Sequence, residues 1–479
     1  MSIPRFLRAP RVRRGLAASI IVLAAGGLVL FRAPAAARLP NLVVTEATAS
    51  GPNLTTFSGP GAHGHLGLSH SKILSGGERR LYAELKLTAD AVDEARERAP
   101  LSLVVVIDTS GSMEGDKITQ AKDSVVRLLR DMRDDDEIAL VRYSSDSELV
   151  QSLARVGAVR SSLISKVQGM TASGGTNIAP ALASGLRSLD EASSQRVRRV
   201  ILVSDGLDAT RPESEALART SAARGVTVSS IGVGLDFDES YMGAVARAGH
   251  GNFGFVKDAA TLATFLRREL TETANTTIEN ASARVQLPAG VRFVRAVGAD
   301  ARLVNDGREV ELRMGSMFSR DERRVVIELA ANLDVGTIKG VEGQVSWRRV
   351  GGADAEIRLS RLDVAGTDDT RAVEEGRDGA IFGHATSALS SIRQVEAAEA
   401  YNRGEGAQAQ AMIEENLNDL RAAAAAAPAA VGTALMRQAG DYEQTKGRFA
   451  KAPPGSADGK AAAKGSMEKD LSNFGRSAF

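Results

Sequence analysis

The sequence predicts a doubly wound, mostly parallel, Rossmann-like α/β sheet, inserted in or flanked by an antiparallel β-sandwich and followed by a C-terminal helical segment. Three observations carry this. Residues 100–275 alternate aliphatic runs with amphipathic stretches at strand–helix spacing, which builds a parallel sheet covered by helices on both faces. Residues 276–366 change to short runs that alternate apolar and polar, separated by turns such as Asn305-Asp306-Gly307, the pattern of antiparallel pairing. Residues 367–449 are rich in Ala, Glu and Gln at helical spacing and predict a helical hairpin or bundle, broken at Gly404-Glu405-Gly406.

Within the α/β part, 101–107 is an almost unbroken aliphatic run, as in a strand buried on both faces. Asp116 can open a helix whose apolar stripe is Ile118, Ala121, Val125, Leu128 and Leu129. Strands follow at 138–143, 200–203, 226–233 and 252–256, with helices near 158–168, 178–189, 213–223, 240–248 and 262–270. Residues 79–99 contain a lone alternating strand, with Leu81, Ala83, Leu85 and Leu87 on one face. Its pattern belongs with the sandwich, which makes the α/β domain an insertion. Residues 38–78 are rich in Gly, Pro, Ser and Thr and read as a linker, with His63, His65 and His70 in a solvated loop. The tail at 450–479, with Pro453-Pro454, Gly455 and several lysines, reads as disordered.

A chain of 479 residues suits two to four domains at roughly 100–200 residues each. The net charge of +1 gives no global field and no reason to expect a nucleic-acid partner. The absence of cysteine excludes disulfides, thiolate metal sites, a cysteine nucleophile and a cysteine-linked lipid anchor. At the N-terminus, Arg5, Arg8, Arg11, Arg13 and Arg14 precede an uncharged run from Gly15 to Phe31, and Ala35-Ala36-Ala37 follows. Residues 1–37 therefore read as a signal peptide or a membrane anchor, and either one exports the rest of the chain. The expected location is periplasmic or otherwise extracytoplasmic, or anchored in the cytoplasmic membrane facing outward.

The segment that carries chemistry is Asp108-Thr109-Ser110-Gly111-Ser112. A hydrophobic strand ends in an acid, and a tight turn then presents two hydroxyls before a helix. Ligands of open α/β sheets bind at the carboxyl ends of the strands, and this turn offers only hard oxygen donors there. Such donors suit magnesium, calcium or manganese. With few carboxylates, a bound ion keeps an appetite for an external anion. Two further donors fall at the same edge: Thr176 in the turn Gly174-Gly175-Thr176, and Asp205 at the end of the strand at 200–203.

At these residues the chain resembles the von Willebrand factor A family, with the metal-ion-dependent adhesion site that integrin inserted domains share. All five motif positions are met, by Asp108, Ser110, Ser112, Thr176 and Asp205. The resemblance implies that the three hydroxyls contact a divalent cation, Mg2+ before Ca2+ or Mn2+, and that the two aspartates bind it directly or through water. It implies further that an Asp or Glu carboxylate of a partner protein fills the last position. Ser144, Ser145 and Gly175 are the candidates for lining the ligand face. The wider layout resembles bacterial exported proteins of this family, some described as calcium-activated chloride channel-like, through Gly232-Val233-Gly234 with its acidic loop and Gly251-Asn252-Phe253-Gly254. One hydrophobic segment cannot line a pore, so channel activity does not follow.

The expected function is metal-dependent protein–protein binding in the cell envelope and not catalysis. A phosphoryl-transfer enzyme of the haloacid dehalogenase type needs a second aspartate where Ser110 stands, and no nucleotide-binding Gly-x4-Gly-Lys-[Ser/Thr] loop occurs. The alternatives are a structural envelope component with a fold-stabilising metal, or a conductance regulator acting through a partner. Asp134-Asp135-Asp136 reads as a solvated loop, with a calcium site as the alternative. Asp236, Asp238 and Glu239 read as helix-start residues, and His250 has no assigned role.

Overall fold

The computed structural model describes residues 42–91, 100–193, 196–205, 208–233, 237–256, 259–350 and 352–472. The arginine-flanked run at 1–37 lies outside them. No described helix is long and apolar enough to cross a membrane.

The α/β domain is built on a six-stranded sheet. Its order is His250–Val256, Val226–Val233, Val197–Ser204, Leu101–Asp108, Glu137–Tyr143, Ser147–Arg155. All neighbours run parallel except the last pair. Every residue of Leu101–Asp108 is buried, because the strand sits in the middle of the sheet with helices above and below. Leu103, Val105 and Ile107 face the helices Asp116–Asp131, Val156–Gln168 and Ala259–Ala274. Val104 and Val106 face Ile178–Arg187, Arg211–Ala222 and Glu239–Ala248. Each fully buried aliphatic side chain contributes about 1.5–3 kcal/mol, so this strand anchors both layers. The edge strand Ser147–Arg155 went unread in the sequence. It is largely exposed and carries only a weak alternation.

The sandwich has two sheets around one apolar core. Arg79–Ala89 pairs antiparallel with both Glu322–Ala331 and Ala62–Leu68 in one sheet. Thr276–Gln286 lies in the other, between Glu309–Phe318 and Ile338–Arg349. The α/β domain is thus an excursion from one sheet of the sandwich that returns to the other.

Two expectations are corrected. The described residues 42–78 are not a linker. Thr48–Gly51, Leu54–Gly59, Ala62–Leu68 and Lys72–Leu74 are strands of the sandwich, with Phe57, Leu66, Leu68 and Ile73 in its core. The glycines there serve close packing. A Cβ at Gly64 would lie 2.0 Å from the Lys86 carbonyl oxygen, and one at Gly67 would lie 2.3 Å from Ile381. The histidines are accordingly not in a loop. His65 and His63 stand on a strand, paired with Glu84 and Asp90, and His70 bonds Ser69.

The described part of the tail is also ordered, as the helix Ala457–Ser472. Ala463, Met467 and Leu471 fall at four-residue spacing and are buried. They dock against the preceding helices Gly379–Asn402, Gly406–Ala426 and Ala429–Lys451. The stripe was hidden by buried charges. Lys464 donates to the Phe237 carbonyl (3.1 Å) and lies 4.0 Å from the Phe237 ring, and buried Asp470 accepts from Tyr442 (2.6 Å). Such residues are almost never buried unless paired, so composition alone reads them as solvated.

Candidate metal centre

Asp108 ends the central strand, and Asp205 follows the neighbouring strand Val197–Ser204, whose Val203 is level with Ile107. From this pair of strands the chain departs to opposite sides of the sheet, which opens a crevice at their carboxyl ends. Asp108 is fully buried and Asp205 nearly so. One Asp108 oxygen accepts from the Ser110 amide (2.8 Å) and the other from the Ser204 hydroxyl (2.9 Å). The Ser110 and Ser112 hydroxyls are 3.0 Å apart, and Ser112 donates to Asp205 at 2.8 Å. Four of the five expected donors therefore form one continuous polar cluster.

The glycine turn is tied to this cluster by backbone. The Gly111 amide donates to the Gly174 carbonyl (2.9 Å), and the Ser173 amide to that of Thr109 (2.8 Å). Ser145 accepts from the Gly175 amide at 2.8 Å, so it holds the turn in place. Ser144 lies beside the same turn, with its hydroxyl 3.3 Å from where a Gly174 Cβ would stand. Gly174 has φ +83, a conformation open to glycine at little cost. Thr176 is half-buried immediately beyond, and its hydroxyl makes no hydrogen bond to the described residues.

The electrostatics explain what the cluster lacks. Burial pushes the Asp108 carboxyl above its ordinary value; hydrogen bonds from Ser110 and Ser204 oppose the shift, and the Asp205 charge adds to it. Burial and the Asp108 charge push the Tyr143 phenol far up. Among the described residues one compensating cation is present: Lys117 reaches Asp205 at 2.5 Å and the Ser112 carbonyl at 3.2 Å. Among the described residues no group of three or more His, Asp or Glu is placed to hold a metal. This donor set differs in kind, with two carboxylates and neutral hydroxyls. Hard oxygens, a buried acid raised by desolvation and a hydroxyl without a partner among the described residues fit a hard divalent cation. Asp108, Ser110, Ser112, Thr176 and Asp205 would hold it.

Sequence reasoning missed three contributors. Ser204 precedes Asp205 and was within reach of the motif. Lys117 lies in the first turn of the following helix. Asp208 accepts from the Ile178 amide at 2.6 Å and from the Thr210 amide at 3.0 Å, capping from afar the helix that the glycine turn opens; nothing local signals that role. Other candidates fall elsewhere. Asp136 is buried and accepts from the Leu101 and Arg133 amides, which corrects the solvated-loop reading, whereas Asp134 is exposed and pairs with Arg160. Asp238 caps Glu239–Ala248 by accepting from the Tyr241 amide. Asp236, Gly234 and the Glu239 side chain lie outside the description.

A doubly wound α/β domain with this Asp-x-Ser-x-Ser edge is a von Willebrand factor type A domain, and residues 102–268 match that family. Domains of this family commonly mediate protein–protein interactions. An uncharacterized protein of Synechocystis, sll0103, is 24% identical over 50% of this chain and 60% of its own length. The uncharacterized protein YfbK of Escherichia coli is 28% identical over 46% of this chain and 39% of its own length. The inter-alpha-trypsin inhibitor heavy chain H2 of Sus scrofa is 31% identical over 31% of this chain and 17% of its own. The chain thus spans less than two thirds of each of these relatives. Among solved structures, a von Willebrand factor type A protein from Catenulispora acidiphila superposes with TM-score 0.65 at 20% identity, covering 90% of this chain and 99% of that one. The ArnB paralog VWA2 from Sulfolobus acidocaldarius gives 0.57 at 15% identity, covering 85% and 98%. The shared fold therefore extends well beyond the α/β domain.

Proposed function

We propose that the chain binds a partner protein in the cell envelope through one divalent cation held at the Asp108 edge, and that it is not an enzyme. The observation that carries this is the convergence of Asp108, Ser110, Ser112 and Asp205 on one crevice, with the turn of Thr176 bonded to it. A bound Mg2+, or Ca2+ or Mn2+ on the same oxygens, supplies an open coordination position for an Asp or Glu carboxylate of the partner. Asp108 and Asp205 contribute the negative charge, and the hydroxyls contribute neutral donors that leave the ion partly uncompensated. Ser145 keeps the Gly175 turn in register with the crevice. Catalysis would need a positioned base, and no histidine lies in this cluster. The location is proposed from the arginine-flanked run at 1–37 and is tested by protease accessibility of the folded domain in spheroplasts; persistent protection would remove the envelope part of the reading.

The binding test is a pull-down from envelope extract with and without chelator, using wild type and Asp108→Ala. Chelator-sensitive capture lost in the variant is the expected outcome. Equal, chelator-sensitive capture by both would place the metal elsewhere. A second reading is favoured by the Lys117–Asp205 ion pair, which supplies a cation without metal. In that case the edge is a structural feature of an envelope component, and capture is indifferent to chelator.

A further inference from the structure

A cavity of about 150 Å³ lies where the α/β domain, the sandwich and the C-terminal helices meet. His250, at the start of its strand, lines it, so the cavity is at the edge of the sheet opposite Asp108. His250 has φ +54, an uncommon conformation for a residue with a side chain. It sits between two glycines pressed on the next strand: a Cβ at Gly249 would lie 2.5 Å from Val228, and one at Gly251 would lie 2.2 Å from the Val228 carbonyl oxygen. Its ring rests on Gly315, where a Cβ would approach Nδ1 to 2.7 Å. Both ring nitrogens are shielded from solvent and neither has a hydrogen-bond partner. Leaving such a group unsatisfied forfeits its hydrogen bonds to water, and native structures rarely tolerate it without a ligand or water.

The surroundings say what would satisfy it. Arg247 and Arg323 line the cavity, and the charges of Arg323, Arg313 and Arg219 act on the ring. Burial, and then the charges of Arg323, Arg313 and Arg219, lower His250 to about 4. Acids temper this field. Arg323 meets Asp321 at 3.2 Å, and Arg219 meets the lining residue Asp300 at 3.7 Å. The remaining wall is apolar, from Phe253, Val297, Met314, Ile392 and Leu471. We propose that this cavity binds a small organic anion of the short-chain carboxylate class, with its charge at His250 and the arginines and its alkyl body on the apolar wall. The carboxylate accepts the imidazole N–H. It also offsets the arginine charges, so the second ring nitrogen can take a proton and donate as well.

The test titrates the full chain with sodium butyrate, with 1-butanol as the same body without charge, and with inorganic phosphate as charge without the body. Calorimetry reads affinity, and the ring resonances of His250 read location. Saturable butyrate binding that moves those resonances is expected, with butanol at least about tenfold weaker for want of a charge-assisted hydrogen bond. His250→Gln should weaken butyrate about tenfold. Ala299→Leu fills the cavity from a turn and should abolish binding even if the first variant fails to fold. Asp108→Ala should leave butyrate unaffected, which separates this site from the metal edge. Absence of saturation, butanol equal to butyrate, or phosphate tighter than butyrate would each overturn the proposal.

Discussion

Two buried carboxylates in this molecule have moved in opposite directions. Asp108 is held by amide and hydroxyl donors next to another acid, and burial raises it. Glu84 is as deeply buried in the sandwich, and burial alone would raise it too. His384 donates to it at 2.7 Å, His65 at 2.9 Å, and Arg324 stands 3.7 Å away, and together they bring it down to about 2. The difference is the source of positive charge. Glu84 carries its hydrogen-bond donors and the Arg324 charge within the fold, and so it joins the strand Arg79–Ala89 to the helix Gly379–Asn402. Among the described residues, the Asp108 edge has Lys117, which is bound to the other aspartate. One acid closes a structure, and the other is the residue on which the proposed cation site rests.

The largest effect that would break this contrast is at Asp108. Asp108→Ala should reduce metal-dependent partner binding by more than about 100-fold, since it removes a direct charge from a site with only two. The fold should persist, read as unchanged circular dichroism and loss of the Mg2+-dependent rise in Tm. A retained rise would dissociate the ion from Asp108. Next is Glu84→Gln, which should destabilise the protein by about 3 kcal/mol in urea unfolding, because it strips a buried ion network of its acid, while leaving Mg2+ affinity unchanged.

The pH dependence sharpens the same contrast. The folded value of Glu84 is depressed, so its stabilisation is present above its ordinary value of 4.5 and is lost as pH falls from there toward about 2. The folded value of Asp108 is raised from 3.8, so its contribution is present below that value and is lost as pH rises through the elevated one. With protons competing for Asp108, the Mg2+-dependent rise in Tm should shrink on acidification. An increase would contradict the assignment. Ser112→Ala should weaken binding only about tenfold, one hydrogen-bonding donor that water can replace. Smallest is Lys117→Met, which removes a competing cation and should raise Mg2+ affinity a few-fold, by calorimetry; a fall would mean that Lys117 supports the site.

What was legible in the sequence follows the range of each interaction. Asp108, Ser110 and Ser112 lie within five residues, and the strand before them is aliphatic on both faces, so local pattern places them. Thr176 and Asp205 were reachable because parallel topology brings strand ends to one edge. Glu84 with His384 was not, since 300 residues separate the partners and only the packed sandwich joins them. The segment now seen as Leu54–Gly59 and Ala62–Leu68 looked like a linker because its glycines accommodate neighbouring atoms and carry no apolar signal of their own. The helix Ala457–Ser472 was concealed by Lys464 and Asp470, whose partners lie in elements far away in sequence. Of the ligand-face candidates, Ser145 is spent on the Gly175 amide, a bond that spacing alone does not reveal.

The insertion of the α/β domain has a mechanical consequence. Strand Leu101–Asp108 begins, and helix Ala259–Ala274 ends, at the margin opposite Asp108, and the chain there passes directly into Thr276–Gln286 of the sandwich. A tug delivered at the Asp108 crevice would travel along the strands and divide between two covalent tethers instead of hanging on one. Along Leu101–Asp108 such a load would oppose the parallel pairing with Val197–Ser204 and Glu137–Tyr143 on both sides.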